Sequence, residues 1–400
     1  MTAPKPLQGI RVLEFSHTIM GPCAGLVLAD MGADVVKVEP APAGDHTRKL
    51  PGFAAGFFAT FNRNKRSIAV DLKSPGGRAA VHRLVETADV VLENYGPGTM
   101  ERLGCGWEQL SAINPRLVYL ALKGFLAGPY ERRPALDEVV QFQSGLAHMT
   151  GPPGQPLRAG ASIIDILGAV FGVTGVLAAL RERDATGQGQ RIGSSLFESA
   201  VFLVGSHMAG TAATGEAPPP MPARRGAWGI YDLFETRAGK QIFVGVTSDQ
   251  QWKRFCREFR LDDLGADPAL DSNAKRSQAR PTLIPRLREV FGALSFSKAK
   301  ARCEAADISW APVGRPADMF DDPHLLAGGG LLATAIAAAG GGDLVPLPAL
   351  PLEFGDDRER APLVRQPPRI GEHNREVLAE AGLDADRIAA LYETGALVEA

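Results

Sequence analysis

Residues 10–40 read IRVLEFSHTIMGPCAGLVLADMGADVVKVEP. IRVLEF (10–15) and DVVKVEP (34–40) are short β-rich runs, and AGLVLADMGA (24–33) between them has helical spacing. The alternation continues through SIAVDL (67–72), GGRAAVHRLVETA (76–88), DVVLEN (89–94) and PRLVYLAL (115–122). Strands separated by one helix each pair in parallel through right-handed crossovers, so the pattern predicts an open α/β sheet. Such sheets bind ligands beyond the carboxyl ends of their strands. The loops to watch are therefore SHTIMGP (16–22), PAPAGDHTR (40–48), NYGPG (94–98) and KGFLAGPY (123–130).

The length of 400 residues predicts two or three folding units. A second unit is expected to begin at the proline run APPPMPARRG (217–226), since clustered prolines stiffen an interdomain connection. Beyond it, GIYDLFET-RAGK-QIFVGV (229–246) predicts a β-hairpin, and helical patterns follow at 249–264 and 283–294. ATAIAAAGGGDLVPLPALPLEF (333–354) reads as a return connection or exposed loop, and NREVLAEAGL (374–383) as a last helix. The expected boundaries are 1–216, 217–330 and 331–400.

Composition narrows the class. Lys plus Arg number 43 against 45 Asp plus Glu, a net charge of −2, which argues against a dedicated nucleic-acid protein. Four well-separated cysteines (Cys23, Cys105, Cys256, Cys303) form neither a disulfide framework nor a zinc pattern, and suit a reducing compartment. IIDILGAVFGVTGVLAAL (163–180) is apolar, but Asp165, three glycines and the RERD that follows favour a core helix over a membrane span. A cytoplasmic enzyme is expected.

No P-loop, GxGxxG, GxSxG or HExxH occurs, so phosphate-loop, dinucleotide, serine-hydrolase and catalytic-metal readings lack support. What stands out is Asp165, in the first turn of a predicted apolar helix. The helix dipole favours its ionised form and apolar surroundings oppose it. It is either a cap for that helix or a carboxylate nucleophile. His17 and Lys123 follow strands, and Arg48, Lys65, Arg66 and Arg102 cluster in or near the same loops, a distribution that suits a phosphate-bearing ligand as well as a solvated face.

These segments resemble the class III CoA-transferases, whose relatives include formyl-CoA transferase and α-methylacyl-CoA racemase. The likeness runs through PLQGIRVLEFSHTIMGP (6–22), FNRNKRSIAVDLKSPGG (61–77), DVVLENYGPGTMERLG (89–104), NPRLVYLALKGF (114–125), GQGQRIGSSLFESA (187–200), FDDPHL (320–325) and GEHNREVLAEAGL (371–383). It implies a Rossmann-like large α/β domain built from both chain ends, an inserted smaller α+β domain, and an interlocked-ring homodimer. It also implies a CoA thioester as substrate, no tightly bound cofactor, and neither nucleic-acid nor membrane partners. Asp165 matches the family's catalytic aspartate. His17, Asn94, Tyr95, Arg102 and Lys123 match its CoA contacts, with Val70, Leu72 and Lys73 nearby.

Three positions depart from the family pattern. Pro40 stands where an arginine often meets a CoA phosphate, so Arg48 is the expected substitute. Ile19 replaces the loop glutamine of formyl-CoA transferase, and RRGAWG (224–229) stands where that enzyme has its tetraglycine loop. Leu136 in PALDEVVQ occupies the place of the racemase histidine, which counts against the racemase alternative because proton abstraction needs a second base. The segments 123–141 and 145–166 look similar to mesaconyl-CoA CoA-transferases, with succinyl-CoA and another small dicarboxylate as the competing pair. Asp137, Arg224 and Arg225 are the expected substrate contacts, and Arg132, Arg133 and Arg158 flank the same segment.

Overall fold

The computed structural model describes residues 5–223, 227–336 and 344–399. It divides into two compact units, one formed by both chain ends (up to Pro222 and from Pro323) and one spanning Ala223–Asp322. Composition had suggested 217 and 330 as the corresponding limits.

The first unit is built on strands β1 (Arg11–Phe15), β2 (Asp34–Pro40), β3 (Arg66–Val70), β4 (Val90–Glu93), β5 (Val118–Lys123) and β6 (Arg191–Ser195). All pairings are parallel, in the order β3-β2-β1-β4-β5-β6. This is the doubly wound order, with its reversal between β1 and β4. β6 escapes the sequence reading because RIGSS is an edge strand, half polar and partly exposed.

The helices are α1 (Met20–Asp30), α2 (Phe57–Asn62), α3 (Pro75–Val85), α4 (Thr99–Arg102), α5 (Trp107–Ile113), α6 (Asp137–Gln143), α7 (Leu146–Thr150), α8 (Ile163–Thr186) and α9 (Leu196–Thr214). Alternate strand residues feed two cores. Val12, Val35, Val90, Leu120 and Leu122 meet the side carrying α1 and α8. Leu13, Phe15, Val36, Ile68 and Val91 meet the side carrying α3 and α5. α8 is long and apolar enough to cross a membrane by length and composition. It is instead a core helix: Gly168, Gly172, Val173 and Val176 are buried, and it packs on β5, β6 and α1.

The second unit holds the expected hairpin, β7 (Ile230–Glu235) and β8 (Gln241–Val246), extended by β9 (Ser309–Pro312) into an antiparallel sheet. Its helices are α10 (Asp249–Phe259), α11 (Asp262–Ala266), α12 (Asn273–Gln278), α13 (Arg280–Gly292) and α14 (Phe296–Ala305). A phenylalanine cluster fills its core, with Phe234 stacked on Phe291 at 4.5 Å. The helical pattern at 249–264 breaks at Arg260, whose φ of +58° ends α10.

Back in the first unit come α15 (Pro323–Ala327), β10 (Leu331–Ala335), β11 (Leu344–Pro348), α16 (Asn374–Glu380) and α17 (Ala385–Glu393). β10 and β11 form an antiparallel ribbon where the sequence suggested a return connection or an exposed loop. Prolines at 346 and 348 hid the strand, yet a two-stranded ribbon leaves their missing N–H groups facing outward. The C-terminal segment covers the open edge of β3, where Ala69 N donates to Asn374 Oδ1 (2.9 Å) and Asp71 N to Ala396 O (2.9 Å).

Beneath the carboxyl edge lies a layer of buried charge. Glu14 and Lys37 are register neighbours on β1 and β2, both fully buried. Lys37 Nζ reaches Glu14 Oε1 (3.2 Å), Asp45 Oδ2 (3.0 Å) and the Ser16 carbonyl (2.9 Å), and Lys65 Nζ lies 2.7 Å from Glu14 Oε2. Arg48 completes the layer through two contacts with Glu39 (2.6 and 2.9 Å). Gly25 of α1 is required here, since a Cβ would collide with the Glu14 carboxylate. Three acids and three bases balance, so burial is tolerated only while every partner remains. Burial opposes ionisation of Asp45 and Glu39, but Lys37 and Arg48 with their hydrogen bonds hold both below the usual carboxylate range. Lys37→Met leaves Glu14 with Lys65 but strands the buried Asp45, and is expected to cost about 3–5 kcal/mol at pH 7, read by urea denaturation; an unchanged midpoint would refute the role.

Candidate active site at the sheet reversal

Beyond the pairing Phe15↔Glu93, β1 and β4 part and their loops turn to opposite sides. A cavity of about 700 Å3 opens there, the size of a small-molecule site. Asn94 ties the two loops together: its Oδ1 accepts from His17 N (3.0 Å) and its Nδ2 donates to His17 O (2.9 Å). The tie is tight, for a Cβ at Gly21 would lie 2.8 Å from Asn94 Cγ. Next to His17, Thr18 adopts a φ of +67° and its hydroxyl lies 2.8 Å from His17 Nδ1. The imidazole stands 5.4 Å from the rings of both Tyr95 and His46. Burial lowers its pKa, only partly offset by Asp45, so the ring is neutral near pH 7.

Asp165 is half-buried in the first turn of α8 and lines the cavity. It does not cap its own helix. That task belongs to Asp137 of α6, whose Oδ2 accepts from Ile164 N (2.8 Å) and Asp165 N (3.0 Å). Gln141, one turn on, donates to Asp137 Oδ1 and accepts from Ala159 N (2.9 Å), so one helix face clamps the whole entry to α8. The Asp165 carboxylate has no hydrogen bond or ion pair among the described residues. Burial, then the nearby Asp137 and Glu138, push its pKa up to about 7. Of the two opposing influences expected from the sequence, the apolar surroundings outweigh the helix dipole, and both protonation states are accessible near neutrality. Cys23 close by is no rival nucleophile, because burial pushes its thiol up to about 11.

Of the residues proposed from sequence, His17, Asn94, Tyr95, Lys123, Asp137 and Asp165 line this cavity. Several are committed to internal partners, which revises their expected roles. Lys123 Nζ bonds Glu93 (2.6 Å) and the Tyr95 carbonyl (2.7 Å), so its charge is already matched. Arg48 is held by Glu39 and lies 3.6 Å over the Phe58 ring, outside the cavity wall. Asp137 presents no free carboxylate to a substrate, being filled by the α8 amides and Gln141. Val70 is buried at the end of β3, Leu72 packs into the core and Lys73 is exposed, none of them on the cavity. Arg102 is exposed at the end of α4, where it donates to Thr99 Oγ1 (2.9 Å). Arg224 and Arg225 lie outside the described residues. Sequence reasoning missed Gln141 and Glu93; the signals were an i, i+4 pair on α6 and an acid closing an otherwise apolar strand.

A model of CoA-transferase family III matches residues 7–374. The chain belongs to CoA-transferase family III. This class III CoA-transferase is 33% identical to the succinate–glutarate CoA-transferase of Agrobacterium fabrum, over 94% of this chain and 95% of that one. It is also 33% identical to the succinyl-CoA:mesaconate CoA-transferase of Haloarcula hispanica, over 94% and 96%. Among solved structures, a CaiB/BaiF family protein from Brucella suis matches with a TM-score of 0.82 at 30% identity, covering 94% of this chain and all of that one.

Three outcomes test the transferase's α8 entry. A carboxyl raised from 3.8 to about 7 keeps its proton in the folded state while the unfolded chain releases it, so folding loses stability as pH climbs between those values. The gain in Tm of Asp165→Asn over the parent should therefore grow from pH 4 to pH 7 and then level off; a constant gain would contradict the burial. Asp137→Leu removes the acceptor of two amides and should cost about 2–4 kcal/mol, whereas Asp137→Asn keeps an oxygen there and should lower the Asp165 titration below 7, measured by carbon-13 NMR.

Proposed function

We propose that this class III CoA-transferase moves CoA between small dicarboxylic acids, with Asp165 as the covalent carrier. The observation that supports this most is the Asp165 carboxylate, unpaired among the described residues in a cavity and set by a helix clamp that leaves its oxygens free. In its ionised form an Asp165 oxygen attacks the thioester carbonyl, the C–S bond breaks, and a mixed anhydride and CoA thiolate result. The thiolate attacks the Asp165 acyl carbon of that anhydride, releasing the donor acid and leaving an aspartyl-CoA thioester. The acceptor carboxylate displaces CoA to give a second anhydride. The returning thiolate then attacks the acceptor carbonyl, forming the new thioester and restoring the Asp165 carboxylate. Each step exchanges acyl groups between activated species of comparable energy, and the anhydrides survive only where water is kept out. Ile19, Met20, Leu122 and Leu196 on the cavity wall favour that exclusion.

A dicarboxylate substrate is supported by the similarity to the succinate–glutarate and succinyl-CoA:mesaconate enzymes. Transfer within one branched diacid of the mesaconate kind is the intramolecular variant of the same chemistry. Leu136, on the cavity wall where a racemase would place a base, has no atom that can accept a proton. For CoA we propose His17, Asn94 and Tyr95 as the pantetheine-side wall, with the exposed cations Lys73 and Arg102 toward the phosphates. The exposure of Phe171 and Phe202, an edge-packed pair of which Phe202 is 71% exposed, supports an interlocked homodimer, in which a second chain would bury this apolar α8–α9 face. The free, buried cysteines support a cytoplasmic setting.

Asp165→Ala should lower exchange by on the order of 10⁴-fold or more while CoA affinity holds. Hydroxylamine added during turnover should yield a hydroxamate at Asp165 by mass spectrometry. Because the nucleophile is the deprotonated form, kcat/KM for the donor thioester should rise with pH and level off above about 7. Exchange surviving in the alanine variant would overturn the mechanism.

A further inference from the structure

The cavity wall is acidic: Asp165, Asp137, Glu138 and Glu131 all line it, and Asp137 and Glu138 act directly on the Asp165 carboxyl. A diacid brings a second negative charge into that space, and something must offset it. Three long basic side chains share the wall, Lys123, Arg133 and Arg158. Lys123 is spent on Glu93. Arg158 donates to the Ala159 carbonyl (3.1 Å) and pairs with Glu138 at 3.6 Å. The Arg133 guanidinium has neither a hydrogen bond nor an ion pair among the described residues.

Its position is nevertheless set. The guanidinium lies over the Tyr130 ring at 4.7 Å and 5.7 Å from the Phe125 ring. Phe125 and Tyr130 pack on each other and on Phe197 at the start of α9. The loop backbone is fastened too: Arg133 N donates to Tyr130 O (2.8 Å), and Phe197 N to Gly124 O (3.0 Å). Stacking on an aromatic face leaves the N–H edge of a guanidinium free, and that edge matches a carboxylate in a two-pronged fit.

We propose that Arg133 is the specificity residue that receives the distal carboxylate of the acyl group carried on Asp165. This rests on the dicarboxylate CoA-transfer reading above. Arg133 neutralises the charge that a diacid brings and a monoacid lacks, so it selects between them without taking part in bond making. Arg158, already neutralised by Glu138, does not carry this selection.

The test compares the parent, Arg133→Met, Arg133→Lys and Arg158→Met in two exchanges: succinyl-CoA with glutarate, and butyryl-CoA with acetate. Arg133→Met should lose roughly 10–100-fold in kcat/KM for glutarate, mainly through KM, while exchange between the monoacids holds or rises. Arg133→Lys should recover part of the loss, as a point charge without the fork. An equal loss in both exchanges, or selectivity lost in Arg158→Met instead, would overturn the assignment and leave the transferase reading standing. Absence of both exchanges in the parent would remove that reading and, with it, this one. Because Arg133 is exposed, an unchanged Tm is expected, and a fall in Tm with loss of both activities would count against the specificity role.

Discussion

Two backbone amides, those of Ile164 and Asp165, share one carboxylate oxygen of Asp137. A helix start needs acceptors for its first N–H groups, and here they come from another helix instead of from the helix's own flanking residues. Ser162 at the N-cap makes no capping bond. Asp165 is thereby released from the local duty its position invites. Its carboxylate lines a cavity with no partner to neutralise it among the described residues, while the clamp fixes the turn that carries it. The same arrangement places a second negative charge near it, so the group that frees Asp165 also helps to raise its pKa.

In the proposed mechanism, a carboxyl whose pKa is raised to about 7 is a better nucleophile toward the thioester than an ordinary aspartate. A strongly acidic aspartate, stabilised by arginine or by amide bonds, would be a weaker nucleophile. The apolar wall and the acidic neighbours work in the same direction, toward a carboxylate that gains by acylation. A cavity arranged this way repels anionic substrates, which is why the basic residues around it matter. Most are committed elsewhere: the layer of Glu14, Lys37, Lys65, Glu39 and Arg48 supports the loops from below, and Lys123 fastens β5 to β4 through Glu93. At the carboxyl edge of the sheet these buried charges act as internal scaffolding.

That commitment explains where reading the chain succeeded and where it failed. β1 to β5 are legible because parallel strands covered on both faces are apolar throughout, and the crossover helices between them have their own period. β6, β9 and the β10–β11 ribbon are not, since edge and ribbon strands are partly exposed, polar or proline-bearing, and only their neighbours make them strands. Asp165 is conspicuous as the one acid opening a long apolar run. Lys123 and Arg48 were equally conspicuous as loop cations, but nothing local shows that Glu93 and Glu39 would take them. Arg133 and Arg158 look alike in sequence; Glu138 beside one and Tyr130 beneath the other separate them.

The order of residues along the chain determined the alternation of strand and helix, the loops that face the ligand edge, the family resemblance and the place of Asp165 in the first turn of α8. These follow from periodicity and short-range chemistry, which act between residues close in sequence. Only the folded chain decided which charges are spent and which remain available, who caps α8, and that the sheet reverses between β1 and β4 to open a cavity there. Pairing and burial are set by residues far apart in sequence, and the cost of leaving a buried charge unmatched is paid in three dimensions.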